Sequence, residues 1–125
     1  MKLGAAIPVL NEWRFMPAVT GQLLRIVDRL VLLRGHRSQS GAPVEALVRP
    51  PKLDARVELL DGSWRSEAQT RNAGMDYLND CDYVVMIDSD EILVDRDLET
   101  LKAMCAEGKH AAVSVKLYTC WKTPE

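Results

Sequence analysis

The sequence predicts an α/β fold in three layers, a mainly parallel twisted sheet with helices on both faces. Three observations lead there. Strand-like runs alternate with segments of helical spacing. The strand-like runs are apolar on both faces, as buried parallel strands are. Two of them end abruptly in polar turns, Pro8–Glu12 and Asp88–Glu91, and in open α/β sheets ligands sit beyond the carboxyl ends of strands.

The elements follow in order. Leu3 to Val9 is a compact apolar strand. Phe15, Val19, Leu23, Ile26 and Val27 then recur at helical spacing over 15–27, with Pro17 tolerable in a first turn. Asp28-Arg29 breaks that helix, and Leu30 to Leu33 (LVLL) forms a second strand. Residues 34–51 are rich in Gly, Ser and Pro, a loop with room for a short strand at Val44–Val48. Arg56 to Leu60 is a third strand, with a turn at Asp61-Gly62-Ser63. Ser66 caps a helix running to about Leu78, with Ala68, Ala73, Met75 and Leu78 expected on its buried side. Tyr83 to Ile87 is a fourth strand. Asp97 to Ala106 is a helix ended by Gly108, and Ala111 to Tyr118 a final strand.

Composition excludes several classes. With 125 residues, 47% apolar and 27% charged, the chain reads as one soluble globular domain over 1–125. A net charge of −2 provides no field to recruit nucleic acid. No apolar run approaches the ~20 residues of a membrane helix, and the N-terminus reads as a strand rather than a signal peptide. Cys81, Cys105 and Cys120 are odd in number and widely spaced, suggesting neither a disulfide framework nor a zinc site. A reducing cytoplasm is the default location.

Three segments carry chemistry. In Asp88-Ser89-Asp90 two carboxylates follow a buried strand and repel each other. Mg²⁺ or Mn²⁺ relieves that repulsion and takes hard oxygen ligands, with water and phosphate completing its shell. The competing reading is a strand-to-helix turn in which Asp90 or Asp95 caps the next helix and Glu91 is solvated; for the tripeptide alone that reading is the commoner. In Arg71-Asn72-Ala73-Gly74, a Gly inside a helix costs ~1 kcal/mol relative to Ala. Close approach of a ligand or simple helix–sheet packing would explain it. Arg71 is a fork suited to phosphate, or else a surface ion pair. In Ile7-Pro8-Val9-Leu10-Asn11-Glu12, Asn11 and Glu12 either face a ligand or cap the following helix.

Taken together and in this order, PVLNE after a strand, RNAG, and DSDE after a strand resemble the N-terminal half of family 2 glycosyltransferases of the GT-A fold, over about Leu3 to Leu93. The resemblance implies a Rossmann-like, nucleotide-diphosphate-sugar-binding domain that needs Mn²⁺ or Mg²⁺ at its D-x-D turn. Its partners would be a UDP- or GDP-linked sugar and an unknown acceptor, with no nucleic acid and no membrane span; a homo-oligomer is left open. Pro8, Asn11 and Glu12 would lie near the nucleotide, Arg71 near the diphosphate and Asp88 near the donor ribose or sugar. Asp90, with Asp88, would bind the metal, and Glu91 would support them.

The chain departs from that pattern in two places. The second strand ends Leu33-Arg34-Gly35, where family members often carry a base-holding Asp; Arg34 meets a phosphate or solvent instead, and Asp54 or Asp61 is a substitute to be located. The family's catalytic base follows the strand after D-x-D, near where this sequence closes at Trp121–Glu125. The expectation is therefore a fragment or shortened relative with no visible base, His36 and His110 not filling the role. Trp13, Trp64 and Trp121 are either sugar-facing or packed. Two rivals remain. Aspartate-nucleophile phosphatases carry D-x-D on the first strand, with Thr or Val where Ile92 stands. A non-catalytic nucleotide- or metal-binding module, or an assembly subunit, would bind without transfer.

Overall fold

The computed structural model describes residues 1–10, 13–35 and 52–113. Its elements are β1 (Leu3–Val9), α1 (Met16–Leu23), β2 (Arg29–Gly35), β3 (Val57–Gly62), α2 (Glu67–Tyr77), β4 (Tyr83–Met86) and α3 (Asp95–Glu107). The four strands form one sheet in the order β3-β2-β1-β4, and every pairing is parallel. The expected α/β class and sheet type are what the chain adopts.

Alternation along β1 explains the layers. Leu3, Ala5, Ile7 and Val9 point to one face, where they pack with Leu30 and Leu32 of β2, with Met16, Val19 and Leu23 of α1, and with Leu98, Leu101 and Cys105 of α3. Ala6, Val31 and Leu33 point to the other, under Leu78 at the end of α2. β1 and β2 are thus buried on both sides, the property that makes their sequences near-continuously apolar. Leu3, Leu30, Leu32, Leu33, Leu78 and Leu98 are wholly inaccessible, and burying each such side chain contributes about 1.5–3 kcal/mol.

Boundaries differ from expectation for local reasons. α1 stops at Leu23 because the chain turns through Leu24–Ile26 to bring Asp28 against β1. The Asp28 carboxylate accepts from the Leu3 amide at 2.8 Å, and the Asp28 amide donates back to the Leu3 carbonyl at 2.7 Å. Asp61 and Gly62 are not a turn but the end of β3, in register with Arg34 and Gly35 of β2. α3 begins two residues earlier than expected, at Asp95, and ends where expected, with Gly108 in the left-handed region at φ 67°. Its N-cap is Val94, which offers no side-chain hydrogen bond; neither Asp90 nor Asp95 caps it.

The buried face of α2 is the largest correction. Leu78 is buried as expected and Ala73 half-buried, but Ala68 and Met75 are exposed, and Gly74 is the buried position within the helix. Gly74 lies so close to the sheet that a Cβ there would stand 2.9 Å from Leu33 Cδ1 and 3.0 Å from the Ala6 Cβ. The glycine therefore serves helix–sheet contact, not a ligand. An apolar-residue count cannot find a face whose contact residue has no side chain. Residues Ala111–Val113 carry no strand. The rest of the expected final strand, and the one at Val44–Val48, fall outside the described residues.

Candidate functional site

The carboxyl ends of β1 and β2, the start of α2 and the turn after β4 surround a cleft of about 520 Å³. β1 contributes Pro8 and Val9, followed by Leu10, and β2 contributes Leu33 and Gly35. Trp64, Arg65, Ser66, Glu67 and Thr70 line it from the entry to α2, and Asp88, Ser89 and Asp90 from the turn after β4. β4 joins the sheet beside β1, on the side opposite β2 and β3. The cleft thus reaches the place where strand order reverses, the general location of ligand crevices in such sheets.

Each wall has a local cause. The entry to α2 is built by its sequence, Ser66-Glu67-Ala68-Gln69. The Ser66 hydroxyl accepts from the Gln69 amide at 3.1 Å, and the Gln69 side chain reaches back to accept from the Arg65 amide at 2.8 Å. That reciprocal cap fixes the direction in which the first turn of α2 faces the cleft. Across from it, Glu91 closes the acidic turn on itself. Its carboxylate accepts from the Asp88 amide at 2.8 Å, and its own amide donates to the Asp88 carbonyl at 3.1 Å. Glu91 is therefore a brace for the turn, not a solvated bystander.

Arg71 joins the two walls. It projects from α2, one turn before the contact glycine, and donates to Asp88 Oδ1 at 3.1 Å and, through Nε and Nη2, to Glu67 Oε1 at 3.0 and 2.6 Å. The hydrogen bond to Glu67 above all, then the charges of Asp88 and Glu91, raise the Arg71 pKa above its already high ordinary value, against the opposing effect of burial. It remains a fixed cation behind two cleft residues, Glu67 and Asp88, and is not itself part of the lining. Asp90 stands exposed on the cleft wall, and among the described residues it has no ion-pair partner.

The structure thus brings together Pro8, Asp88 and Asp90 around one cleft, with Arg71 bonded to Asp88. Asn11 and Glu12 lie outside the described residues. Arg34 is partly exposed, and its Nε donates to Asp61 at 2.5 Å across the β2–β3 register, which raises its pKa. Asp54 pairs with Arg56 in a local turn at 3.0 Å, and that contact holds its carboxyl at about 2. Neither acid lines the cleft. Trp13 is core at 6% exposure, whereas Trp64 does line the cleft. Trp121, His36 and Cys120 are outside the described residues. His110 is exposed, and its backbone carbonyl accepts from the Tyr83 hydroxyl. Arg65 and Thr70 are cleft residues that no motif marks. Their only sequence signal is position, since they open the helix that starts beyond the carboxyl end of a parallel strand.

Among the described residues no three His, Cys, Asp or Glu side chains converge as a self-sufficient metal site. The donor set is instead one exposed carboxylate, Asp90, and an Asp88 with one oxygen on Arg71. That suits a Mg²⁺-like ion only where water and a ligand's phosphates complete the shell, the usual arrangement for that ion. Among the described residues no helix is long and apolar enough to cross a membrane. Compared with protein-family models, with curated proteins and with solved structures, the chain matches none.

Proposed function

We propose that the cleft binds a nucleotide-diphosphate sugar, UDP- or GDP-linked, together with Mn²⁺ or Mg²⁺, in the manner of a family 2 glycosyltransferase. One observation carries the reading: Arg71 and the Asp88–Asp90 turn, separate in sequence, meet at the edge of a single cleft at the carboxyl end of the sheet. A diphosphate is the ligand that uses both signs at once. Its oxygens pair with a guanidinium fork and with a cation held by carboxylates. In this reading Asp90 supplies the metal oxygen, assisted by the second oxygen of Asp88, and Arg71 holds Asp88 and neutralises the diphosphate edge. Pro8 and Trp64 bound the space for the nucleotide or sugar. The metal, when bound, stabilises charge on a departing nucleotide diphosphate. A deprotonated acceptor hydroxyl would then displace that group at the anomeric carbon.

Calorimetry of the chain with UDP, GDP and their sugars, with and without Mn²⁺, tests the proposal. Heat of binding that requires Mn²⁺ and is lost in Asp90→Ala is expected; equal binding by Asp90→Ala removes the metal assignment. An assay of sugar release or transfer separates an enzyme from a module that binds without transfer.

A further inference from the structure

Gln22 lies on α1, away from the cleft lining, and belongs to no motif. Its side-chain amide holds the backbone of a single residue from both directions. Nε2 donates to the Leu93 carbonyl at 2.5 Å, and Oε1 accepts from the Leu93 amide at 2.9 Å. The same Nε2 lies 2.9 Å from Asp95 Oδ1, which also receives Arg25 from the next turn of the chain at 3.3 Å.

We infer that Gln22 is a positioning residue for Asp90, fixing the acidic turn so that its carboxylate meets the metal; this rests on the function proposed above. The turn is held at its two ends. At the start, the Ile87 amide reaches the Ala6 carbonyl of β1 at 3.4 Å. At the far end, three residues beyond Asp90, Leu93 buries its side chain in the core while its backbone meets Gln22. Three residues span at most about 10 Å, so whatever holds Leu93 limits where Asp90 can stand. Between those ends the Asp88–Glu91 bonds close the turn on itself, and Arg71 ties Asp88 to α2 without reaching Asp90. Ile92 is 42% exposed and is not part of the buried core. α1 is a firm support, since Met16, Val19 and Leu23 are buried against the sheet. A glutamine suits the task because its amide offers a donor and an acceptor side by side, matching a peptide unit. Alanine removes both. Glutamate keeps an acceptor for the Leu93 amide, loses the donor to its carbonyl and faces Asp95 with like charge.

The experiment compares parent, Gln22→Ala, Gln22→Glu and Arg25→Ala by calorimetry with UDP or GDP, whichever the parent binds. Each is measured with and without Mn²⁺, well below each variant's melting temperature. The expected result is a loss of Mn²⁺-dependent affinity of about tenfold in both Gln22 variants, the scale seen when a group that orients a metal ligand is removed, with metal-free affinity unchanged. Arg25→Ala, which leaves the Leu93 clamp in place, keeps the parent's metal dependence. A purely structural Gln22 would lower melting temperature and leave the two affinities in the parent ratio, and that result overturns the inference. Should Gln22→Ala fail to fold, Gln22→Glu decides alone. A parent without Mn²⁺-dependent binding defeats the proposed function and this role together; a parent that binds and Gln22 variants that bind as tightly defeat only the role of Gln22.

Discussion

The two ends of the sheet carry charge in opposite ways. At the amino end, Arg29 donates to Glu58 at 2.8 Å and to Asp80 at 2.6 Å, and Lys2 also pairs with Asp80. The Tyr77 hydroxyl donates to Glu58 at 3.1 Å, and its ring lies 5.3 Å from the Arg29 guanidinium carbon. Two cations meet two carboxylates, and each group touches another of the set. At the carboxyl end Arg71 is shared between Glu67 and Asp88, while Asp90 stands exposed on the cleft wall. A closed network is what a chain uses to hold elements in place. Carboxylates in excess of their cations beside a cleft are open to a partner that brings positive charge. On the function proposed above, the difference separates structural charge from charge held for a ligand, which the number of acidic residues in the sequence does not do.

The comparison breaks most sharply at Asp90. Asp90→Ala is expected to weaken Mn²⁺-dependent nucleotide-diphosphate binding by more than about a hundredfold, beyond the usual cost of losing a supporting group, while thermal stability stays that of the parent. A substitution that lowers melting temperature instead would put Asp90 in the structural class with Asp80. Next in size is Gly74→Val. Its added carbons meet the Ala6 Cβ, which moves only with the β1 backbone, so α2 must lift. Urea unfolding should show a loss of about 2–3 kcal/mol, and binding should weaken as Arg71 moves with the helix. A stable variant with full binding would show that the α2 contact does not set the site.

Arg29→Ala tests the amino end. Losing the partly exposed Arg29–Glu58 pair should lower stability by about 0.5–1 kcal/mol and leave nucleotide binding unchanged. An effect on binding would couple the two ends of the sheet, whose charge networks share no residue. The smallest effect is the response to acid. Lys2 first, then Arg29, hold the Asp80 carboxyl at about 2, below its ordinary 3.8, and Arg29 lowers Glu58 as well. A depressed carboxyl stabilises the fold above its unfolded value, and that stability fades as pH falls through the folded one. Melting temperature should therefore decline from about pH 4 toward pH 2, and Arg29→Ala should decline less over that window. An identical slope in the variant would mean that the network does not govern the acid limb.

Much of the fold is legible in the sequence because it follows from periodicity. Leu3–Val9 and Leu30–Leu33 are apolar at nearly every position, and a strand covered on both faces asks for that. Ser66 with Gln69 writes the start of α2 three residues apart, and Gly108 writes the end of α3. Such signals are local, so the sequence alone determines them. The carboxylates of the acidic turn are legible for the same reason, being two residues apart at the end of a run of apolar residues.

What only the tertiary structure decided are relations between distant segments. The face of α2 turns on Gly74, whose absent side chain permits contact with Leu33 and Ala6; no hydrophobic count sees it. Sequence leaves Arg34 open to phosphate or solvent, and the β2–β3 register sets it against Asp61. Gln22 and Leu93 are 71 positions apart and carry no motif. Arg71 meets Asp88 only because α2 and β4 reach the same end of one sheet. A sequence specifies which groups are charged and which segments are buried. Which charges find partners, and which are left facing a cleft, is settled when the chain closes.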